Sequence, residues 1–282
     1  MDEVGLGKQL QRARQTAGLT QQELCQRAGL SYSTLAKIER GAIKAPSIFT
    51  IQSIAAALGI ALADLLPSSA QSSTPLPKKR AKSGVSFVYF DINGCLVRFF
   101  HRAFTKLAKD SGAPPDVVET TFWHYNDAVC RGEMPIDEFN AVMAKKLGLS
   151  SLDWRAYYLE AIDTIKEMQE LVAWAANIYD VGLLSNIMPG FIEVMRQQNI
   201  LPSVAYTAIV DSSEAGAIKP ENKIYEIAQA KAQRNPSEIL LVDDSRANLM
   251  AAEKLGWHVL WFDDYRPDES VARIRAALEL AD

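Results

Sequence analysis

The chain has 282 residues, which exceeds one average domain and suits a small domain followed by a medium one. Its 48% hydrophobic and 23% charged residues are typical of a globular protein, and no apolar run reaches the roughly 18 residues that a membrane-spanning helix needs. The first residues, MDEVGLGKQL, do not form a secretory signal, and the three cysteines are too few and too widely spaced for a disulfide framework or a zinc motif. We therefore expect a soluble, cytoplasmic protein.

The net charge of −4 is unevenly distributed. Residues 1–84 carry 11 basic and 5 acidic side chains, a balance of +6, whereas residues 85–282 carry 19 and 29, a balance of −10. A basic segment joined to an acidic body suggests that the first part alone meets a polyanion such as DNA. Improved solubility is the simpler explanation, and charge by itself does not exclude it.

Residues 1–66 are predicted to form short helices separated by capping signals. Thr20 and Ser31 stand where N-caps are needed, and Glu23 completes a capping box with Thr20. Gly29 and Gly41 follow the two helices, as left-handed C-terminal caps do. The expected core side chains are aliphatic: Leu24, Ala28, Leu30, Leu35, Ile38, Ile51, Ile54, Ala55, Leu58, Leu62 and Leu65.

The segment LTQQELCQRAGLSYSTLAKIERG, continued by the pattern P-S-x-x-T-I-x-x-I-A-x-A-L-G-I-x-L-A-D-L-L, resembles the XRE-type, lambda-repressor-like helix-turn-helix family. The resemblance covers nearly all of residues 6–66 and implies an all-α domain of five helices that binds double-stranded DNA. In such a domain the first turns of the recognition helix meet base edges in the major groove.

Carried onto this sequence, the resemblance assigns base contacts to one helix and backbone contacts to its surroundings. A solvated polar helix face is the alternative for all of these side chains. The predicted DNA-binding residues are Gln21, Tyr32, Ser33, Thr34, Lys37, Arg40 and Lys44.

Residues 67–84, PSSAQSSTPLPKKRAKSG, lack hydrophobic periodicity and are rich in Ser, Pro and Lys. We predict a flexible linker here. Its basic run, Lys78 to Lys82, is either a non-specific contact to the DNA backbone or a solvated part of the linker.

After the linker, apolar strand-like runs alternate with helical segments, which predicts an α/β domain with a parallel sheet. The interval 97–177 has only helical patterns, so we expect a helical insertion over one edge of the sheet, with a core of 85–97 and 178–282 and an insertion of about 98–177. The predicted strands are Val85–Phe90, Ile178–Leu184, Ala205–Val210, Ile239–Val242 and His258–Phe262.

Four short motifs lie at the predicted strand ends or helix starts of this domain. They are Asp91-Ile92-Asn93-Gly94, Leu184-Ser185-Asn186, Lys219-Pro220 and Asp243-Asp244-Ser245. Ligand sites of parallel sheets gather at the carboxyl ends of the strands. Singly, each residue is explained as a cap, a turn or a surface charge. Together, two carboxylates, a hydroxyl and a lysine at one edge suit a divalent cation and a phosphoryl group.

The order and spacing of these motifs, with D-D-S-x-x-N-x-x-x-A-x-x-x-G closing the fourth, resemble the haloacid-dehalogenase-like (HAD) superfamily across 85–282. The resemblance implies a Rossmann-like α/β core with a helical cap, and Mg²⁺ as cofactor. It assigns Asp91 as nucleophile and Ser185, Asn186 and Lys219 to the phosphate. It gives the metal to Asp91, Asp243 and the backbone carbonyl of Asn93, with Asp244 outside the ligand shell.

One position departs from the family pattern. HAD phosphatases have a second Asp two residues after the nucleophile as general acid and base, and this chain has Asn93. An amide does not titrate, and general acid-base catalysis typically contributes about 10²–10⁴ in rate. Asn93 therefore indicates a former phosphatase that now senses a ligand, an active enzyme with altered chemistry, or a substitution introduced to trap substrate.

Our leading hypothesis is a transcriptional regulator whose HAD-like domain senses a phosphorylated small molecule. Because helix-turn-helix proteins of this type usually bind palindromic operators, we expect a homodimer. The main alternative is a Mg²⁺-dependent phosphatase of a small phosphorylated metabolite, in which the N-terminal module targets or autoregulates the enzyme. A third hypothesis is an antitoxin that binds a partner protein.

Overall fold

The computed structural model describes residues 3–43, 46–60, 78–98 and 100–280. Its backbone contacts divide the chain into two compact units with the boundary between residues 75 and 76. Among the described residues, no helix is both long and apolar enough to cross a membrane.

The N-terminal unit is all-α, as predicted. Four helices are described: α1 (Glu3–Thr16), α2 (Gln21–Ala28), α3 (Tyr32–Glu39) and α4 (Ile48–Leu58). The fifth predicted helix, with Leu62 and Leu65, lies outside the described residues.

Local sequence signals determine where α2 and α3 begin and end. The Thr20 backbone N–H donates to Glu23 Oε2 at 2.7 Å, and the Glu23 backbone N–H donates to Thr20 Oγ1 at 3.2 Å. Ser31 Oγ accepts from the backbone N–H of Thr34, and Gly29 has φ +66°, a left-handed conformation that glycine adopts without a Cβ clash. The predicted capping box and N-caps are therefore confirmed.

The helices enclose a small aliphatic core that includes Leu10, Leu24, Leu35, Ile38 and Ile54. At its edge, Arg14 and Glu39 form a buried, bidentate ion pair, with Arg14 Nε 2.7 Å and Nη2 3.1 Å from the two carboxylate oxygens. Gln21 Nε2 donates to the same carboxylate at 2.7 Å. One acidic side chain thus joins the first three helices.

The C-terminal unit contains a five-stranded parallel sheet. Its strands are β1 (Phe87–Phe90), β4 (Asp180–Ser185), β5 (Ala208–Asp211), β6 (Ile239–Asp243) and β7 (His258–Trp261), in the order β5-β4-β1-β6-β7. β1 is the central strand, and it pairs with β4 on one side and β6 on the other.

Helices cover both faces of this sheet, so successive side chains of β1 enter different cores. Val88 and Phe90 belong to one apolar cluster, and Phe87 and Tyr89 belong to the other. All four are fully buried, as in a central parallel strand that is covered on both faces.

An inserted cap lies between β1 and β4. It contains α5 (Phe100–Ser111), α6 (Pro115–Cys130), α7 (Ile136–Leu147) and α8 (Trp154–Ala161). The short antiparallel strands β2 (Val97–Arg98) and β3 (Asp163–Thr164) pair at its base. The remaining helices belong to the core: α9 (Lys166–Ile178), α10 (Phe191–Gln197), α11 (Ser212–Ala215), α12 (Asn222–Ala232), α13 (Arg246–Lys254) and α14 (Pro267–Ala277).

Two predicted boundaries are wrong. The cap does not extend to residue 177, because α9 packs against β4 and α14 of the core. The linker does not extend to residue 84, because the backbone N–H groups of Lys79, Ala81 and Lys82 donate to carbonyls of Ile178, Val85 and Glu279. Arg80 also pairs with Glu238. Part of the basic run is therefore anchored to the C-terminal unit.

We predict that Glu39→Ala destabilises the N-terminal unit by roughly 3 kcal/mol, because it leaves the buried Arg14 guanidinium without its carboxylate. Hydrogen-exchange mass spectrometry of the full chain should show faster exchange in α1–α4 and no change in the C-terminal unit. Glu23→Ala is the control: it removes an exposed glutamate of the capping box and should cost no more than about 1 kcal/mol. Equal exchange in the two variants would refute a stabilising role for the ion pair.

Candidate functional site

The central position of β1 brings three polar side chains together at one edge of the sheet. Asp91 follows β1, Ser185 ends β4 and Asp243 ends β6. Because all three strands are parallel and adjacent, these residues share the carboxyl edge. Ser185 Oγ donates to Asp91 Oδ1 at 2.7 Å, and the side chains of all three are buried.

Lys219 joins this group from the loop before α12. Its Nζ lies 3.0 Å from Asp91 Oδ2 and 2.5 Å from Asp243 Oδ2, and it donates to the Leu184 carbonyl at 2.9 Å. The lysine side chain is fully buried, with its charge held between two carboxylates.

The side-chain amide of Asn186 holds this loop in place. Its Nδ2 donates to the Lys219 carbonyl at 2.8 Å, and its Oδ1 accepts from the Lys219 backbone N–H at 2.7 Å. Both ends of the amide are therefore bonded to the lysine backbone. The side chain of Asn186 positions Lys219, a role that the sequence analysis did not assign to it.

The electrostatics of the group follow from burial and from the three close charges. Burial raises the pKa of Asp91 to about 6, although the Lys219 charge opposes the increase. Burial alone would lower the pKa of Lys219, but the carboxylates of Asp243 and Asp91 raise it above its ordinary value. The lysine is therefore charged at neutral pH, and the site has a cation fixed beside its proposed nucleophile.

Asp244 brings a third carboxylate into the site. One oxygen each of Asp91, Asp243 and Asp244 lies within 4.8 Å of the others. Desolvation and the charges of Asp91 and Asp243 raise the pKa of Asp244 to about 7, so the cluster favours an added positive charge. Hard carboxylate oxygens are the donors that Mg²⁺ prefers, and this donor set therefore fits the ion. The sequence resemblance predicts Asp244 outside the ligand shell, whereas the structure brings its carboxylate together with those of Asp91 and Asp243.

Gly94 makes room for the Asp244 carboxylate. A Cβ at Gly94 would lie 2.1 Å from Asp244 Oδ2, and its φ of +81° is left-handed. Asp243, by contrast, is fixed by hydrogen bonds from residues that follow it closely in the chain. Asn248 Nδ2 and the Ser245 backbone N–H both donate to its carboxylate.

Asn93 occupies the position of the expected proton donor and is bonded to the cap. The Tyr158 hydroxyl, from α8, donates to Asn93 Oδ1 at 2.7 Å. Asn93 Nδ2 approaches the Asn186 carbonyl at 3.5 Å. Burial raises the pKa of Tyr158 well above its ordinary value, so this hydroxyl keeps its proton at neutral pH. No local sequence pattern points to Tyr158, which lies 65 residues from Asn93 in the chain.

The cap and the core enclose a cavity of about 400 Å³ above these residues. Asp91, Asn93, Asn186 and Lys219 line one end of it, and side chains of α6 and α8 line the other. A cavity of this size suits a small ligand. The site is therefore a pocket between the cap and the core, with the charged group at its floor.

A second contact between cap and core lies beside the lysine loop. Arg131 Nε donates to Glu221 Oε1 at 2.8 Å, and Glu221 Oε2 accepts from the Ile218 backbone N–H. A Cβ at Gly132 would lie 2.3 Å from the Ser213 carbonyl oxygen, so the cap backbone approaches α11 closely. The end of α6 is thereby joined to the segment that carries Lys219.

In the N-terminal unit, α3 presents a polar face to solvent. Tyr32, Ser33 and Lys37 are exposed, whereas Leu35 and Ile38 point into the core. Thr34 is half-buried, and its Oγ1 lies 2.8 Å from Ser31 Oγ. The predicted base-contacting residues therefore share one helix, and its exposed face is available to a nucleic-acid groove.

The other predicted DNA-contacting residues differ in their exposure and in their hydrogen bonds. Gln21 is half-buried, and its Nε2 is bonded to Glu39. Arg40 is exposed, and its Nε donates to the Ala36 carbonyl at 3.1 Å. Lys44 lies outside the described residues.

We predict that Gly94→Ala weakens Mg²⁺ binding at least tenfold, because the new methyl group displaces the Asp244 carboxylate. Gly148→Ala is the matched control: Gly148 has φ +71° and nothing within 4 Å of its Cβ position, so it carries the same backbone strain of about 1–2 kcal/mol without the clash. Isothermal titration calorimetry measures the affinity, and thermal melting verifies folding. Equal Mg²⁺ affinity in both variants would exclude Asp244 from the cation site.

Comparison with known proteins assigns both units. Residues 86–256 match the family model of haloacid dehalogenase-like hydrolases, and residues 10–65 match a helix-turn-helix model. The first match covers more than half of the chain, and it contains Asp91, Ser185, Lys219 and Asp243.

Solved structures share the fold of the C-terminal unit at low sequence identity. A HAD family enzyme of Bacteroides thetaiotaomicron, crystallised with magnesium and inorganic phosphate, is 19% identical with a TM-score of 0.55; the match covers 64% of this chain and 96% of that one. A HAD-like family hydrolase of Porphyromonas gingivalis is 22% identical with a TM-score of 0.58, over 68% and 98%.

Among curated proteins, acyl-CoA dehydrogenase family member 10 of Mus musculus is 23% identical over 147 residues. The match spans 51% of this chain and 14% of the mouse protein. The chain belongs to the haloacid dehalogenase-like hydrolase family, with a helix-turn-helix domain at its N-terminal end.

Proposed function

We propose that the protein is a DNA-binding transcriptional regulator whose HAD domain binds a phosphorylated small molecule together with Mg²⁺ and hydrolyses it weakly or not at all. The proposal is supported by a contrast between the side chains that would bind the ligand, which are assembled, and the acid-base position, which lacks a titratable group. Lys219 contacts both Asp91 and Asp243, and Ser185 contacts Asp91. The acid-base position, by contrast, holds Asn93.

The charged side chains of the site support the proposed binding of a phosphoryl group and Mg²⁺. Ser185 and the Lys219 ammonium would hold the phosphoryl oxygens. Asp91, Asp243 and Asp244 would hold Mg²⁺, with the Asn93 backbone carbonyl that the family uses. When bound, the ion neutralises phosphoryl charge. The Bacteroides enzyme, crystallised with magnesium and inorganic phosphate, supports this choice of ligands.

The weak hydrolysis follows from the lack of a usable proton donor next to Asp91. Asn93 does not titrate, and its Oδ1 accepts from the Tyr158 hydroxyl. Tyr158 itself is a poor acid because burial raises its pKa well above the ordinary value. A bound phosphate ester would therefore persist, as a sensor requires.

The DNA-binding half rests on the exposed face of α3. Tyr32, Ser33 and Lys37 are candidates for base contacts, with Thr34 next to them, whereas Gln21, Arg40 and Lys44 are candidates for phosphate contacts that set the orientation. We further propose a homodimer, because two-fold symmetry matches two operator half-sites.

The regulator proposal predicts that the ligand shifts DNA affinity. A duplex selected from a random pool by the full-length protein should bind with a Kd that changes at least fivefold when Mg²⁺ and saturating inorganic phosphate are added. Asp91→Ala should abolish this shift, because it removes a contact to both the cation and Lys219. Lys37→Ala should weaken DNA binding with and without phosphate. Fluorescence anisotropy provides these values.

An unchanged DNA Kd, measured while calorimetry shows phosphate bound, would contradict the sensor. It would favour the alternative proposal, a Mg²⁺-dependent phosphatase with a targeting domain. That alternative is supported by the retained nucleophile position and its buried lysine.

Asn93→Asp separates the two functions. If a sensor has lost its proton donor, restoring a carboxylate should raise phosphate release from p-nitrophenyl phosphate by about 10²–10⁴. The double variant Asp91→Asn, Asn93→Asp should be inactive, because it lacks the nucleophile. Rapid wild-type turnover that Asn93→Asp does not increase would establish the phosphatase instead.

A further inference from the structure

We propose that the ligand of the HAD domain is a phosphate monoester whose organic part has a planar, apolar ring and carries no second negative charge. The inference rests on the proposed function, since it takes the floor of the cavity as the phosphoryl site. It names the chemical class that the cap half of the same cavity selects.

Positive charge is unevenly distributed around the cavity. Lys219 is the single cationic side chain among the described residues that line it, and it lies at the floor. The cap half contributes Asp127 and the amide of Asn126 instead. A carboxylate or second phosphate on the ligand would lie near the Asp127 carboxylate there, with no cation among the described lining residues of that half.

Two basic side chains lie in the nearby cap segments. Arg131 is paired with Glu221 of the core. Arg155 donates to the Pro189 carbonyl at 3.3 Å and lies 5.4 Å from the centre of the Phe191 ring. Neither residue lines the cavity. Bisphosphates and phosphorylated carboxylic acids are therefore poor ligands.

Helix α6 presents an aromatic side chain, Trp123, to the cavity. Trp123 lines the cavity, and 48% of its surface is exposed. Its ring packs edge-on against Phe122, with centroids 5.1 Å apart, and against Phe104 at 6.3 Å. Phe122 in turn packs on the buried Trp154 at 4.7 Å. These buried rings therefore hold the Trp123 indole in place at the wall of the cavity.

Apolar side chains of the core also line the cavity. They are Ile187, Met188 and Phe191. The volume of about 400 Å³ accommodates a phosphoryl group and a ring of modest size. An amino substituent on that ring would be favoured, because Asp127 supplies a carboxylate and the indole face attracts cations.

A series of four phosphate esters tests the proposal on the full-length protein with Mg²⁺. Methyl phosphate has no ring, phenyl phosphate has one, and 3-carboxyphenyl and 3-(aminomethyl)phenyl phosphate add a negative or a positive charge. By calorimetry, we expect phenyl phosphate to bind at least tenfold more tightly than methyl phosphate. The carboxyl derivative should bind at least fivefold more weakly than phenyl phosphate, and the aminomethyl derivative at least as tightly.

Two variants assign these effects to residues. Trp123→Ala should remove the preference for phenyl over methyl phosphate and leave the affinity for inorganic phosphate unchanged. Trp123→Phe should retain most of the preference for phenyl phosphate. Asp127→Asn should reduce the difference between the aminomethyl and carboxyl derivatives without changing the ring preference. An unchanged charge difference in Asp127→Asn would remove Asp127 from the proposal.

The outcomes separate this inference from the proposed function. If inorganic phosphate binds with Mg²⁺ but the ring gives no gain, or the carboxyl derivative binds as tightly as phenyl phosphate, the ligand class is wrong and the phosphate site stands. If inorganic phosphate fails to bind at all, both proposals fail.

Discussion

The site depends on one buried ion triad, in which Lys219 Nζ contacts the carboxylates of Asp91 and Asp243. Parallel strands place those two carboxylates side by side, and without a cation they would repel each other where little water can screen them. Burying three charges is costly, and the same volume filled with apolar side chains is often at least as stable. The triad is therefore better explained by ligand binding than by stability.

The neighbouring structure is arranged around that lysine. Asn186 bonds both backbone groups of Lys219, and Ser185 bonds Asp91. On the cap side, Arg131 pairs with Glu221, two residues after Lys219. The cap thus contacts the loop that carries the fixed charge as well as the acid-base position, where Tyr158 bonds Asn93. The cap and the proposed phosphate site are consequently joined by direct contacts.

Asn93 replaces the titratable carboxyl group that the family pattern has at this position. Its side chain is held by the neighbouring structure, since its oxygen accepts from the Tyr158 hydroxyl and its nitrogen lies 3.5 Å from the Asn186 carbonyl oxygen. The position that should move a proton instead contributes to a fixed hydrogen-bond network. In the proposed function, this network would keep a bound ligand intact, so that its presence could be signalled to the DNA-binding domain on the same chain.

The sequence by itself determined the two domain types, the capping of α2 and α3, the parallel sheet and the residues of the triad. These features depend on local patterns, namely hydrophobic periodicity, capping residues and polar residues at strand ends, which the chain displays in short windows. Tertiary structure alone decided that Asp244 belongs with the other carboxylates, that Tyr158 bonds Asn93, that α9 belongs to the core and that residues 78–84 are anchored to it. Most of these contacts join segments far apart in the chain, such as Tyr158 with Asn93 and α9 with α14, and no local pattern specifies which distant partner a side chain will meet.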